Sequence, residues 1–198
     1  MTQTSSIHPL VLWSKNRLDE MEAALLEVEK DSSKAKEDIK AAVAATLPKA
    51  KQSLNDFKAR MQANIQEVEK KGEVASKSAK QEMQQDWKKF EEAMSAAVAR
   101  LNSCQKEFEA RADAQLKSWQ ETIQKYNKAA AGVAADQKES FNAALKRMQD
   151  KAQEGKQHFA EIRQAVSNSP EAYRVALKKC REAFEEAYES VKSKLAKV

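Results

Sequence analysis

Residues 11–46, VLWSKNRLDEMEAALLEVEKDSSKAKEDIKAAVAAT, carry the clearest structural pattern in this chain. Apolar residues recur in it at alternating spacings of three and four, with Ser or Thr at three seam positions and mostly Glu and Lys between them. The apolar seam consists of Val11, Leu18, Met21, Leu25, Val28, Ala35, Ile39 and Ala42. This pattern is typical of a coiled-coil partner face, so it predicts one heptad helix over residues 9–47.

The composition extends the helical prediction to the whole chain. Its 198 residues include only 3 Gly and 3 Pro, too few for the turns of a β-rich fold, and 33% of them are charged. Ala, Glu, Lys and Gln dominate the remainder, and these residues are good helix formers. Large apolar side chains are too sparse to fill a thick core. We therefore predict an all-α protein, either an elongated long-helix coiled coil or an open helical bundle of three to four helices.

Two prolines divide the chain. Pro48 interrupts the heptad pattern, and Pro170 suits the first turn of a new helix, where its missing N–H is not needed. Between them the amphipathic pattern weakens at Gly72 and Gly132, which are two candidate hinges. The predicted segments are a polar tail at 1–8, the heptad helix at 9–47, a long amphipathic helical region at 48–166 and a C-terminal helix at 167–198.

An apolar stripe runs through the long region with a period of 11 residues. Such a repeat keeps one stripe on one side of a nearly straight helix. Its main members are Phe90, Leu101, Phe108, Trp119, Ile123, Phe141 and Leu145. The stripe predicts packing against another helix or, with Lys and Arg at its margins, contact with a lipid surface.

The sequence offers little for catalysis. His8 and His158 lie 150 residues apart, and neither stands in a recognisable catalytic or metal-binding motif. His158 and Glu161 share one helix face, which is typical of a surface pair. Cys104 and Cys180 are lone thiols 76 residues apart, as expected of packing residues in a reducing compartment. We therefore expect a non-enzymatic protein with no cofactor and no metal site.

In composition and repeat pattern, the region 49–198 resembles the phasins and the exchangeable apolipoproteins. The resemblance is carried by long Ala, Lys, Glu and Gln helices, by the single prolines Pro48 and Pro170, and by the 11-residue apolar rhythm. It implies amphipathic helices that self-associate in solution and coat a lipid or polyester surface.

Two functions follow as expectations. The first is a coiled-coil scaffold or structural protein that forms a homo-oligomer through helix–helix self-association. Its predicted oligomer interface consists of Leu18, Met21, Leu25, Val28 and Ile39. The alternative is a peripheral protein that binds a lipid or granule surface through the apolar stripe.

The charge pattern bears on partners and location. The net charge is +5, but acidic and basic residues alternate almost everywhere, whereas nucleic-acid binders concentrate Lys and Arg on one face. This disfavours nucleic acid as a partner and leaves only weak, salt-sensitive association as a third option. The apolar runs are too short for a signal peptide or a transmembrane segment. We expect a cytoplasmic protein.

Overall fold

The computed structural model describes the backbone of residues 9–71, 73–164 and 169–195 and the side chains of residues 10–64, 77–164 and 169–194. The described residues contain seven α-helices and no strand, which confirms the all-α prediction. The helices are α1 Pro9–Ser33, α2 Glu37–Ala44, α3 Leu47–Lys71, α4 Glu73–Leu101, α5 Cys104–Ala129, α6 Lys138–Gln164 and α7 Pro170–Leu195. None of the helices in these ranges is long and apolar enough to cross a membrane.

The predicted heptad helix divides into α1 and α2. Around the break, the Ser33 hydroxyl donates to the Lys30 carbonyl at 2.7 Å, and Lys36 is extended. Serine side chains that bond to the backbone compete with helix propagation. Beyond the break the buried position in α2 is Val43, whereas the heptad pattern places Ala42 in the seam. The predicted seam residue Ile39 still packs half-buried against the core, so α2 keeps the predicted face with Val43 as its most buried residue.

A tight turn at 102–103 separates α4 from α5. Asn102 has φ 51°, the Ser103 N–H donates to the Val98 carbonyl, and the Asn102 N–H donates to that of Ala99. These are the hydrogen bonds of a Schellman motif, in which Asn replaces the usual Gly. The helix count exceeds the expected three or four because turns this short leave no run of loop residues in the sequence.

Of the two candidate hinges, the structure describes the one at Gly132. The polar tail and the hinge at Gly72 lie outside the described residues. At the second hinge, α5 gives way to a short 3₁₀ helix, Ala130–Gly132, and α6 starts at Lys138. A side chain at Gly132 would meet open space, so the break does not depend on glycine.

The chain forms two compact units, Met1–Arg111 and Ala112–Val198, with the division inside α5. In the first unit α3 and α4 pack along each other, α1 packs on both, and α2 lies against α4. In the second unit α6 and α7 pack along each other, and the aromatic side chains of α5 contact both.

Candidate functional site

The first unit contains a row of alternating cations and indole rings, which we name the ladder. The Lys80 ammonium lies 5.3 Å from the Trp13 ring centroid. The Arg17 guanidinium lies 5.4 Å from Trp13 and 5.3 Å from Trp87. The Arg111 guanidinium lies 5.3 Å from the Trp87 ring. All four separations are within cation–π range, so five side chains form one continuous row.

Helical spacing positions the members of the ladder. Trp13 and Arg17 are four residues apart on α1, and Lys80 and Trp87 are seven apart on α4, so each pair shares one helix face. Arg111 comes from α5. The ladder therefore ties α1, α4 and α5 together, and no described side chain of α3 takes part.

Three carboxylates surround the Arg111 end of the ladder. Arg111 donates to Glu20 at 2.8 Å, to Glu91 at 2.8 Å and to Glu107 at 3.0 Å. Burial alone would lower the pKa of Arg111, but the charges of Glu20, Glu107 and Glu91 outweigh it and hold the pKa well above its ordinary value. Because Glu20 is itself buried completely, this end of the ladder is a desolvated ionic network.

Two further ion pairs join α1 to α3. Lys51 Nζ lies 2.6 Å from Glu29 Oε1, and Lys58 Nζ lies 2.6 Å from Glu22 Oε1. The pairs are seven residues apart on each helix and run in opposite sequence order, so α1 and α3 are antiparallel. All four side chains are partly exposed, which leaves these contacts open to solvent and screening.

A more protected ion pair joins α3 to α4. Arg60 Nε donates to Asp86 at 2.6 Å, and Arg60 also donates to Glu82 at 2.9 Å. The charge of Asp86, which is buried, is the main reason that the pKa of Arg60 is raised. Each described interface of α3 with α1 or α4 thus has a basic side chain on α3 and a carboxylate on the other helix.

The second unit is built around a stacked tryptophan. The ring of Trp119 lies 4.6 Å from that of Phe184, at an interplanar angle of 11°, and 6.1 Å from that of Phe159. A Cβ atom at Gly155 would lie 2.7 Å from Trp119 Cζ3, so the glycine provides the space for the indole. Tyr126 and Tyr188 meet edge to face at 5.9 Å beside this stack.

The structure places the predicted interface and stripe residues in the interior of the two units. Of the predicted interface, Met21, Leu25 and Val28 are buried, and Leu18 and Ile39 pack half-buried against the same core. Of the stripe residues, Phe90 belongs to that core and Leu101 packs half-buried against it. The remaining stripe residues are also buried or half-buried, namely Phe108, Trp119, Ile123, Phe141 and Leu145.

The residues weighed for reactivity have ordinary surroundings. His158 Nδ1 lies 3.6 Å from Glu161 Oε2 at the surface. Both cysteines are free thiols, and burial raises the pKa of Cys180 to about 11, which makes it a poor nucleophile. Within the described ranges, no group of three or more His, Cys, Asp or Glu residues could hold a metal ion.

Sequence reasoning missed the ladder and the glycine beneath Trp119. The Trp13–Arg17 spacing could have indicated one step of the ladder, because aromatic and cationic residues four apart on a helix can stack. Lys80 and Arg111 carry no such signal, since their ring partners lie on other parts of the chain. Gly155 stands between Glu and Lys and resembles an exposed helix position.

No protein-family model, curated protein or solved structure matches the chain significantly.

Proposed function

We propose that the chain is a non-enzymatic amphipathic-helix protein that binds a lipid or granule surface. In water its apolar faces pack inside two helical units, and at the surface the same faces contact the lipid or granule. The observation that carries this proposal is the interior position of the apolar stripe, with charged side chains covering the outer faces. Helices of this kind bind an interface with the same face that they pack in solution.

The contacts between the helices support a change from packing inside the units to binding at a surface. Charged contacts join α1 to α3, α3 to α4 and α1 to α5. Burying ions is expensive, so such contacts stabilise a bundle less than apolar packing of the same volume would. Head groups and water can replace the exposed carboxylates when the bundle opens.

The closed units offer little apolar surface for binding. Leu26, 67% exposed, and Val175, 52% exposed, are the exposed large apolar side chains among those described. Binding to an apolar surface would therefore require helices to separate. We place this function in the cytoplasm, because free Cys104 and Cys180 suit a reducing compartment.

Flotation with vesicles tests the proposal. We expect the protein to float with anionic phosphatidylserine-containing vesicles at low salt, and more weakly at high salt, where head-group attraction is screened. Protein that stays at the bottom of the gradient at low salt would refute the proposal. A shift in tryptophan emission is a poor readout, since Trp13, Trp87 and Trp119 are already buried in solution.

Self-association as a helical scaffold is the second candidate. The observation that favours it is Leu26, which projects from α1 beside the buried seam residue Leu25. We predict that Leu26→Asp lowers the mass measured by light scattering without loss of helicity. Leu25→Asp would unfold the first unit instead, so Leu26 is the residue to change. An unchanged mass above that of a monomer would show that any oligomer uses another surface, and a monomeric wild type would exclude a stable oligomer.

A further inference from the structure

Helices α1 and α3 carry opposite net charges. Over Pro9–Ser33, α1 has three Lys or Arg and six Asp or Glu, a net charge of −3. Over Leu47–Lys71, α3 has six Lys or Arg and three Asp or Glu, a net charge of +3. Their two ion pairs, spaced by one heptad, follow this asymmetry, since α3 supplies both lysines and α1 both carboxylates.

The inner face of α3 is strongly apolar. Ala50, Leu54 and Phe57 are buried, and the Phe57 ring lies 6.2 Å from that of Trp13 on α1. Lys51 and Lys58 lie beside this face and reach across to α1. An apolar face with basic margins is the pattern of helices that lie on anionic membranes.

The ladder and the packing of α3 along α4 determine which interface of the first unit can open most easily. The ladder joins α1, α4 and α5 through buried or half-buried groups. Helix α3 meets α1 through the Phe57–Trp13 ring contact and through exposed ion pairs that contribute little to stability. Among the described side chains of α3, Arg60 pairs with a buried carboxylate, Asp86 of α4. Because α3 and α1 are each held to α4, the α1–α3 interface can open while α3 stays packed on α4 and the ladder stays joined.

We infer that α3 is the segment that binds an anionic lipid surface and that α1 is its intramolecular acidic cover. This inference rests on the proposed function and adds the contact helix, the charge of the surface and the regulation. On binding, head-group phosphates and carboxylates replace Glu22 and Glu29 beside Lys58 and Lys51. The part of the apolar face of α3 that packs against α1 then contacts acyl chains instead.

Two double variants that break the same ion pairs from opposite sides test the inference. Glu22→Gln with Glu29→Gln frees both lysines, and we expect it to bind phosphatidylserine–phosphatidylcholine vesicles about fivefold to tenfold more tightly than wild type. Lys51→Gln with Lys58→Gln breaks the same contacts but removes the lysines. We expect it to bind about 30-fold more weakly, since each lysine near an anionic surface contributes about fivefold.

A charge-matched control separates α3 from the total charge of the chain. Lys146→Gln with Lys156→Gln removes two exposed lysines from α6 and should change binding less than about threefold. An equal loss in this control, or a change in the same direction in both α1 and α3 variants, would overturn the inference while the proposed function stands. A wild-type chain that binds no vesicle would refute the proposed function and the inference together.

Discussion

Each unit has a buried tryptophan at its centre, but the groups that contact this tryptophan are charged in the first unit and aromatic in the second. In the first unit Trp87 lies between the guanidinium groups of Arg17 and Arg111, and carboxylates complete the network. In the second unit Trp119 lies against Phe184 and Phe159. Charge therefore specifies the first core and shape specifies the second, and substitutions should affect the two units through different mechanisms.

Removing the charged end of the ladder should have the largest effect. In Arg111→Met, Glu20 stays buried but loses the guanidinium that neutralises it, so we expect the free energy of unfolding to fall by about 3–5 kcal/mol. Urea denaturation followed by far-UV circular dichroism measures the loss. Adding Glu20→Gln should recover a large part of it, because no carboxylate is then left buried at that position. A double variant less stable than Arg111→Met would contradict a charge-specified core.

Filling the space beneath Trp119 should have the next largest effect. Ala favours a helix over Gly by about 1 kcal/mol, yet Gly155→Ala would place a methyl group 2.7 Å from an indole held by two rings. We expect a net loss of about 1–3 kcal/mol in the free energy of unfolding, typical of overpacking. The matched control is Gly132→Ala, where the new methyl meets open space. Equal effects of the two substitutions would remove the evidence for a shape-specified core.

An effect of similar size should appear at alkaline pH and mainly in the second unit. Burial raises the pKa of Cys180 from its ordinary 9.0 to about 11 and raises the pKa values of Tyr126 and Tyr188 above 10.0. These groups stabilise the fold fully below their unfolded pKa values, and the contribution is lost as pH rises through the folded ones. We expect Cys180 to account for a loss of about 2 kcal/mol between about pH 8 and pH 11.

Cys180→Ala tests the alkaline effect directly. Its unfolding free energy should fall less between the two pH values than that of wild type, whatever the substitution costs at neutral pH. Cys104→Ala in the first unit is the control, because Cys104 is only partly buried. A parallel fall in wild type and in Cys180→Ala would show that other groups cause the alkaline loss.

The sequence predicts some elements of this fold well and others poorly. The heptad spacing from Leu18 to Val28 correctly marks an apolar face, because α1 is regular over that stretch. The turn at Asn102 escapes prediction, since Asn is tolerated in the left-handed region without being diagnostic of it. Local pattern thus specifies the faces of the helices, and the turns depend on backbone conformations that several residues can adopt.

Most of the candidate site could not be read from the sequence. Arg111 pairs with Glu20, 91 residues away, and one sequence carries no record of such distant contacts. A heptad seam also fits a neighbouring helix of the same chain as well as one of a second chain. This is why the predicted interface residue Met21 lies inside the first unit.

Quenching by brominated acyl chains shows whether apolar side chains that lie inside the first unit in solution contact the lipid of a vesicle. In Trp119→Phe the remaining indoles, Trp13 and Trp87, both report on the first unit. We expect strong quenching of this variant by phosphatidylserine vesicles with brominated chains, because Trp13 packs against Phe57 at the α1–α3 interface that opens. The same vesicles without bromine should cause no quenching. Flotation with the brominated vesicles but undiminished fluorescence would show that the closed unit binds through its charged exterior. That result would refute the proposed contact of the apolar side chains with lipid.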